Sequence, residues 1–394
     1  HIALVKFLSR SGSAIYMVSP ELFAELSFKV VSLILKKGIL PEASLLFSTL
    51  SIIYCGGMGK VTKGYEIANL ALKISERYPN RHFIRGRALF MYATFVKHWK
   101  DNIEEIPPLL DEAYKISLYA GDFEFASYAI TDKFFIQLCI TEDLRVLKTD
   151  LEQSRAEIAE LQNKISINYL RQLLQTVINL TSGEKEPEKL LGEFYNEEII
   201  MPVRAENTDP NSIFTLYYLK IFLSYTFEDY SSAIEYSAIC SDYLDCVTGW
   251  YGISLYYLYD SLSRLALYNE VSENDKRKIE KRVLASLKKI RVWANEIPHN
   301  HNHKCLLIEA ELHSRLGQNL QAASLFGTAA DIAKSSGIKS DEALVNEVAG
   351  KHYLRQKKIK IANVYLTTAK NLYKEWGAEA KVKMIEERYN EIFE

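Results

Sequence analysis

The sequence lacks the features that mark secreted, membrane-spanning and nucleic-acid-binding proteins. Only five of its 394 residues are cysteines, an odd number without a C-x-x-C pair, so we expect reduced thiols and an intracellular location. No apolar run reaches the roughly 18 residues of a membrane-spanning helix. Lys and Arg total 48 against 50 for Asp and Glu, so no field of one sign would attract nucleic acid. These absences predict a cytoplasmic protein with no membrane span and no nucleic-acid partner.

Motifs for nucleotide binding and nucleophilic catalysis are also missing. The segment at Gly59-Lys60 has Tyr54 where a phosphate-binding loop needs its first glycine, and Val61 where the loop needs a hydroxyl. Neither a serine-nucleophile elbow nor a kinase catalytic-loop pattern occurs. We therefore expect no catalytic residue and no cofactor in this chain.

One short segment has the chemistry of a metal site. His299, His301 and His303 alternate, and Cys305 follows, so imidazole and thiolate ligands are close in sequence. A helix beginning near His303 would turn Cys305 away from the others. The pattern therefore favours a polar loop between helices, starting after Pro298, over a metal site. A metal-dependent enzyme is the alternative, and it would require bound metal in the purified protein.

Helical periodicity is what the sequence does contain. Apolar residues recur at steps of three and four, while sustained strand-like alternation is hard to find. Ser19-Pro20 and Asp209-Pro210 are helix starts, and Gly56-Gly57, Ala120-Gly121-Asp122 and Leu316-Gly317 are stops. The alternation of helix, short turn and helix predicts an all-α fold of about eighteen helices in hairpins.

Two segments near the C-terminus repeat the spacing of the tetratricopeptide motif, in which small residues allow the two helices of a hairpin to touch. Both keep steps of five, four and three residues. The signature comprises Gly317, Ala322, Phe326 and Ala329 in one unit and Lys357, Ala362, Leu366 and Ala369 in the next, with Gly350 and Tyr353 in the helix before. Gly59, Gly64, Ala68 and Ala71 keep the same steps, and Ala233 to Cys240 is a looser example. We expect the signature side chains of the two clear units to be buried.

The repeats predict a right-handed superhelical solenoid of antiparallel helix hairpins, continuous over three ranges. Residues 1–143 form N-terminal helical repeats, 144–210 an irregular helical middle segment, and 211–394 the tetratricopeptide-like repeats. In the middle segment Leu144–Asn163 carries a thin apolar stripe, which favours a solvated helix packed on one side over a coiled-coil arm. The polar loop Arg204–Asn211 is a candidate joint between subdomains.

Three stretches carry a resemblance to one family: Ile84–Trp99, Pro107-Pro108-Leu109-Leu110 followed by Gly121–Ala126, and the ending Ala343–Tyr389. They resemble the tetratricopeptide-like region of large bacterial multidomain sensor kinases. In that family a Ser/Thr-kinase-like domain and an AAA/STAND-type ATPase precede the repeats, and a GAF domain and a histidine-kinase module follow. The resemblance implies an internal repeat region whose catalytic neighbours lie outside these residues.

Two functions are compatible with the resemblance. The first is a non-catalytic regulatory sensing arm, which binds a protein, peptide or other ligand, including its own flanking ATPase or kinase domains, and couples binding to their output. The second is a passive structural spacer between sensor and output domains. A spacer would survive replacement by an unrelated solenoid of equal length, and a sensing arm would not.

Overall fold

Helices make up nearly all of the structure, a computed structural model that describes residues 2–182, 186–199 and 209–393, with side chains except at positions 13, 14, 16–18 and 20. Nineteen α-helices lie in these ranges, close to the number expected, and β-structure there is limited to one isolated bridge between Leu191 and Asn196. The helices are α1 (Ile2–Val18), α2 (Pro20–Lys37), α3 (Ala43–Ile52), α4 (Val61–Glu76), α5 (His82–Phe95), α6 (Ile106–Tyr119), α7 (Phe123–Ile140), α8 (Leu144–Glu160), α9 (Lys164–Ser182), α10 (Pro210–Thr226), α11 (Tyr230–Ser241), α12 (Gly252–Ala266), α13 (Glu273–Glu296), α14 (Pro298–Arg315), α15 (Asn319–Ser336), α16 (Lys339–Arg355), α17 (Ile359–Trp376), α18 (Glu379–Arg388) and α19 (Asn390–Phe393). None of them combines the length and apolarity needed to cross a bilayer.

One turn geometry recurs where paired helices join. Gly121, Glu228, Gly317 and Lys357 have φ angles of 70°, 65°, 77° and 59°. In each case the N–H of the following residue donates to the carbonyl oxygen five positions earlier, at 2.8 to 3.0 Å. This left-handed turn satisfies carbonyl groups that the helix end would leave unpaired. Glycine adopts this conformation without strain, but Glu228 and Lys357 adopt it as well. The turns at these two positions therefore cannot be recognised from a glycine in the sequence.

Gly56-Gly57 ends a helix, as the sequence predicted, but not through a left-handed cap at either glycine. Helix α3 continues as a π-helical turn over Ile53–Gly57, and the left-handed residue comes later, at Gly59 with a φ of 65°. A Cβ atom on Gly56 would overlap the backbone of Gly249. The absence of a side chain at Gly56 therefore allows two segments far apart in sequence to touch.

Small residues allow close contact within hairpins. A Cβ atom on Gly350 of α16 would lie 2.7 Å from Leu366 Cγ of α17. Between α3 and α4, a Cβ atom on Gly64 would lie 2.8 Å from the Ser51 carbonyl oxygen. Any side chain at either glycine would separate the paired helices.

Consecutive helices pack on each other along the chain, but contacts also join segments far apart in sequence. Helix α9 packs against α18, and α7 against α16. The fully buried Asn300 side chain of α14 donates to the carbonyl oxygens of His98 and Asp101, at 3.0 and 2.9 Å. The largest core runs from Leu89 to Ile385, across both predicted range boundaries. Contact between sequence neighbours alone therefore does not describe this fold.

Helix α8, the first helix of the predicted middle segment, packs on one side only. Helix α8 buries Leu144, Leu147, Leu151 and Ile158 against α7 and α9 and leaves its polar side in solvent. Helix α8 is therefore a solvated helix packed on one side, which is the alternative that the sequence favoured over a coiled-coil arm. The predicted joint at Arg204–Asn211 lies largely outside the described residues.

A buried ionic cluster attaches the C-terminal helices to α10. Glu347 accepts hydrogen bonds from Lys351 and Lys381 at 2.6 and 2.7 Å, and Lys381 also donates to the Thr226 carbonyl oxygen at 2.5 Å. Lys351 pairs with Glu228 at 2.8 Å. Burial would raise the pKa of Glu347, but the two lysine charges lower it overall, so the carboxylate stays ionised.

Candidate ligand-binding cavity

Helices of the N-terminal half of the chain, together with the start of α10 and residues 245–250, form an open cavity of about 780 Å³. Helices α1, α2, α3, α5, α7, α9 and α10 form its walls, together with residues 245–250. This volume lies within the range of pockets that hold small organic molecules. The cavity is therefore the candidate functional site.

The inner wall comes from one face of each of three helices. In α5 this face carries Arg87, Met91 and Phe95, which are four residues apart and so lie one above another. In α7 the cavity face includes Asp132, and in α9 it includes Tyr169. The other faces of these helices pack on neighbouring helices, which explains why α5 and α7 are apolar around most of their circumference.

Asp132 is an acidic group in a poorly solvated position on this wall. Its Oδ2 atom accepts a hydrogen bond from the Thr94 hydroxyl at 3.0 Å, and no lysine or arginine pairs with it among the described residues. Its side chain is half-buried because it faces the cavity, and the protein atoms packed around it still limit the solvation of its charge. Burial raises the pKa of Asp132 to about 7, and the Thr94 hydrogen bond opposes the rise only in part.

A second carboxylate, Asp209, precedes α10 and caps it. Its Oδ2 atom accepts from the Ser212 backbone N–H at 3.0 Å. Its Oδ1 atom is buried and has no partner among the described residues, and the same is true of the Ser166 hydroxyl on α9. Burial, followed by the negative charge of Asp209, raises the pKa of Tyr169. Unpaired buried oxygens are costly in a folded protein, which makes them candidates for bonds to a ligand.

Arg87 is the basic side chain that lines the described wall, and its charge is already matched. Its guanidinium donates to Asp122 at 2.6 and 3.1 Å. It also lies 4.1 and 4.0 Å from the ring centres of Phe83 and Phe125. These contacts hold Arg87 in place and leave the cavity with an excess of negative charge.

The predicted signature residues lie outside the cavity. The six signature side chains that we expected in the core are fully buried. They lie in α15 and α17, the second helices of two hairpins: Ala322, Phe326, Ala329, Ala362, Leu366 and Ala369. Gly317 forms the left-handed turn, Gly350 contacts Leu366, and Tyr353 stacks on Tyr365 with ring centres 5.5 Å apart. The structure gives these residues a packing role, and their membership of a tetratricopeptide repeat stays a prediction.

The histidine segment is helical, so the prediction of a loop after Pro298 is wrong. Pro298 is the first residue of α14, where its missing N–H costs little. The side chains then contact different partners: His299 lies 3.0 Å from Glu104, and His303 lies 2.8 Å from Asp341. No group of three possible metal ligands occurs in the described part of the chain.

Two buried histidines link stability to pH. His98 donates from Nε2 to the Gly249 carbonyl oxygen at 2.8 Å, and His301 is fully buried with neither ring nitrogen bonded to a described residue. Burial lowers the pKa of His98 to about 4 and that of His301 well below its usual value. Both imidazoles are therefore neutral in the folded chain near pH 5, whereas they would be charged after unfolding.

This difference predicts an effect of His98→Gln. The pKa of His98 is lower in the folded chain than in the unfolded chain. The neutral imidazole therefore costs no stability above about pH 6.5, and the free energy of unfolding falls as the pH is lowered from there toward about 4. A shift from about 6.5 to about 4 makes the folded chain about 2 kcal/mol less stable at pH 5 than at pH 7. Gln retains a donor for Gly249 but does not titrate. We expect the difference in unfolding free energy between the two pH values, from urea titrations, to shrink by that amount.

His299→Gln is the matched control, because its ring is partly exposed beside Glu104. Asp132, whose pKa is raised in the folded chain, changes the free energy of unfolding with pH in the opposite direction. This change is the same in the parent and in both variants, so it cancels when they are compared. An unchanged pH dependence in His98→Gln would show that the imidazole is charged in the folded state.

Comparison with known proteins gives one distant similarity. A stretch of 168 residues is 21% identical to hybrid signal transduction histidine kinase G of Dictyostelium discoideum. The match covers 42% of this chain and 5% of that protein, so the chain spans about a twentieth of its relative. No protein-family model matches the chain.

The cavity residues are not among those predicted from the sequence, although one signal was present. Asp132 is the single acidic residue of the stretch Phe125–Ile140 of α7, which is mostly apolar but also contains Lys133 and Gln137. A carboxylate at such a position is either paired or functional. Which of the two holds depends on the neighbouring helices, and the sequence does not specify their arrangement.

Proposed function

We propose that this chain is a non-catalytic sensing arm of a multidomain signalling protein, and that ligand binding in the cavity regulates a kinase or ATPase output. The observation that carries the proposal is the position of α9. Ile165, Ser166 and Tyr169 of this helix line the cavity, and the same helix packs against α18 near the C-terminal end of the described chain. Binding in the cavity therefore acts on a helix that contacts α18, close to the C-terminal end of the described chain.

The contact between α9 and α18 is well suited to transmit a change. Val382 and Ile385 of α18 belong to the same hydrophobic core as Leu173 and Val177 of α9. Close-packed side chains move together, because a gap of even a fraction of an ångström loses contact energy. A change in the position of α9 would be passed to the C-terminal helices, whose neighbour in a longer chain would be the next module.

The comparison supports a signalling role in a broad sense. The distant relative is named as a hybrid signal transduction histidine kinase, and the sequence resemblance is to repeat regions of sensor kinases. We propose that the chain is such a region, cytoplasmic, with the right-handed tetratricopeptide-like solenoid as its basic plan. The recurrent left-handed turns and the close contact of Gly350 with Leu366 support that plan. Its partners on this proposal are the flanking ATPase or kinase domains, or another protein or peptide.

The test compares this chain with a passive spacer. In a longer protein that joins it to a histidine-kinase module, the chain is replaced by an unrelated helical solenoid of equal length. Autophosphorylation is then measured with and without a cell extract that contains small molecules. A sensing arm loses its response on replacement, whereas a spacer keeps the same activity and the same response.

Met91→Trp gives a finer version of this test, because Met91 points into the cavity from α5. The larger side chain would fill part of the cavity while the fold is kept. We expect Met91→Trp to abolish the response to extract, and Leu320→Trp, at a position that is 90% exposed, to leave it intact. A response that persists in Met91→Trp would argue against the cavity as the sensing site.

A further inference from the structure

The charges around the cavity point to the sign of its ligand. Four carboxylate residues line it: Glu21 and Asp245 at exposed positions, and Asp132 and Asp209 further inside. The single basic residue of the described lining, Arg87, is held by Asp122. Solvent screens the two exposed carboxylates, but around Asp132 and Asp209 the dielectric is lower, and there a negative charge without a cation favours a positively charged guest.

Asp132 is the group that most needs a partner. A buried carboxylate without a cation is unfavourable, and one hydroxyl bond from Thr94 compensates only in part. The Ser166 hydroxyl of α9, which also lines the cavity and is 1% exposed, has no partner among the described residues. A ligand ammonium group carries a positive charge and three N–H donors, which suit a carboxylate acceptor.

The rest of the lining sets the nature of the ligand body. Aromatic rings of Phe90, Phe95, Phe125 and Trp250 line the same space, with aliphatic side chains between them. Aromatic faces attract cations and also pack against flat apolar groups. An apolar or aromatic body would therefore gain burial energy while its charged end meets the acidic wall.

We propose that the cavity binds a small organic cation, a protonated amine on an apolar or aromatic body, with the Asp132 carboxylate as its counter-ion. This proposal names the ligand class of the sensing cavity and so rests on the proposed function. The cavity volume of about 780 Å³ suits a small molecule rather than a folded partner. A basic side chain of a partner peptide would carry similar charge, and the test separates that case.

The experiment measures binding of tryptamine to the 394-residue chain by calorimetry, beside two analogues of nearly equal shape. Tryptophol has a hydroxyl in place of the ammonium group, and indole-3-acetate has a carboxylate. We expect tryptamine to bind roughly tenfold to a hundredfold more tightly than tryptophol, and indole-3-acetate not to bind, since a charge-assisted bond is worth that factor.

Asp132→Asn assigns the effect to the proposed counter-ion. Asn keeps an acceptor for Thr94 but has no charge, so tryptamine should bind only as well as tryptophol. Asp331→Asn is the matched control, because Asp331 lies at an exposed position of α15 outside the cavity. Should Asp132→Asn fail to fold, Met91→Trp provides a second test. Because its larger side chain fills part of the cavity, it should weaken the binding of tryptamine and the binding of tryptophol by similar factors.

Three results would overturn the proposal. These are equal binding of tryptamine and tryptophol, unchanged binding in Asp132→Asn, and binding of a lysine-rich peptide where tryptamine, phenethylamine and spermidine all fail to bind. None of them decides the proposed function, because regulation of the kinase output is measured by the solenoid replacement. Conversely, a replaced chain with unchanged regulation would refute the sensing arm while amine binding stood.

Discussion

Replacing Glu347 by Gln should destabilise the chain by about 3 to 5 kcal/mol, the usual cost of removing one partner from a buried ion pair. Glu347 is 3% exposed by side chain and accepts from Lys351, Lys381 and the Tyr373 hydroxyl. Gln keeps the shape and one acceptor but loses the charge, so two buried ammonium groups face each other with less compensation. The free energy of unfolding from urea titration measures the loss.

Glu387→Gln is the control for Glu347→Gln, because Glu387 forms an exposed pair with Lys383 at 3.9 Å and should have no measurable effect. A double variant, Glu347→Gln with Lys381→Met, should recover part of the loss, since it removes one of the stranded charges. Parent-like unfolding of Glu347→Gln would mean that the cluster is solvated, which would contradict the buried attachment of Lys381 in α18 to Thr226 at the end of α10.

Ala362→Glu should have an effect of similar size, more than about 4 kcal/mol, because it places an unpaired carboxylate in a filled core. Ala362 is fully buried in the hairpin of α16 and α17. A thermal melt followed by circular dichroism measures the change, and we expect the variant to populate unfolded chain at room temperature. Val364→Glu is the matched control on the same helix, since Val364 is 65% exposed.

An Ala362→Glu variant that melts like the parent would show that the register of this repeat is wrong. The three signature positions of α17 would then face solvent, and the spacing of five, four and three residues would be a coincidence. Loss of stability in Ala362→Glu but not in Val364→Glu would support the register directly.

The parts of the fold that depend on local sequence could be predicted. Ser19 and Asp209 start helices because their side chains accept from the backbone N–H group three residues later, as their types suggested. The buried face of α17 followed from residue size and spacing alone. Such features depend on neighbours within one or two turns, and these are visible in the sequence.

The features that depend on segments far apart in sequence could not be predicted. Gly56-Gly57 was correctly interpreted as a helix stop, but the contact of Gly56 with Gly249 was not foreseen. The segment from His299 was interpreted as a loop, although Pro298 at the first position of a helix was a start signal that the clustered histidines obscured. The cavity belongs to the same class, because its walls come from seven helices whose arrangement no local pattern specifies.

Hydrogen exchange of α18 tests the central claim most directly, namely that ligand binding in the cavity changes the stability of α18 through α9. Amide exchange is measured by mass spectrometry with and without saturating tryptamine, in the parent chain and in Asp132→Asn. The account predicts slower exchange in α5, α7 and α9 and also in Glu379–Arg388 of the parent, and no change in the variant. Tryptamine that binds and protects the cavity helices while exchange in α18 stays the same would contradict it.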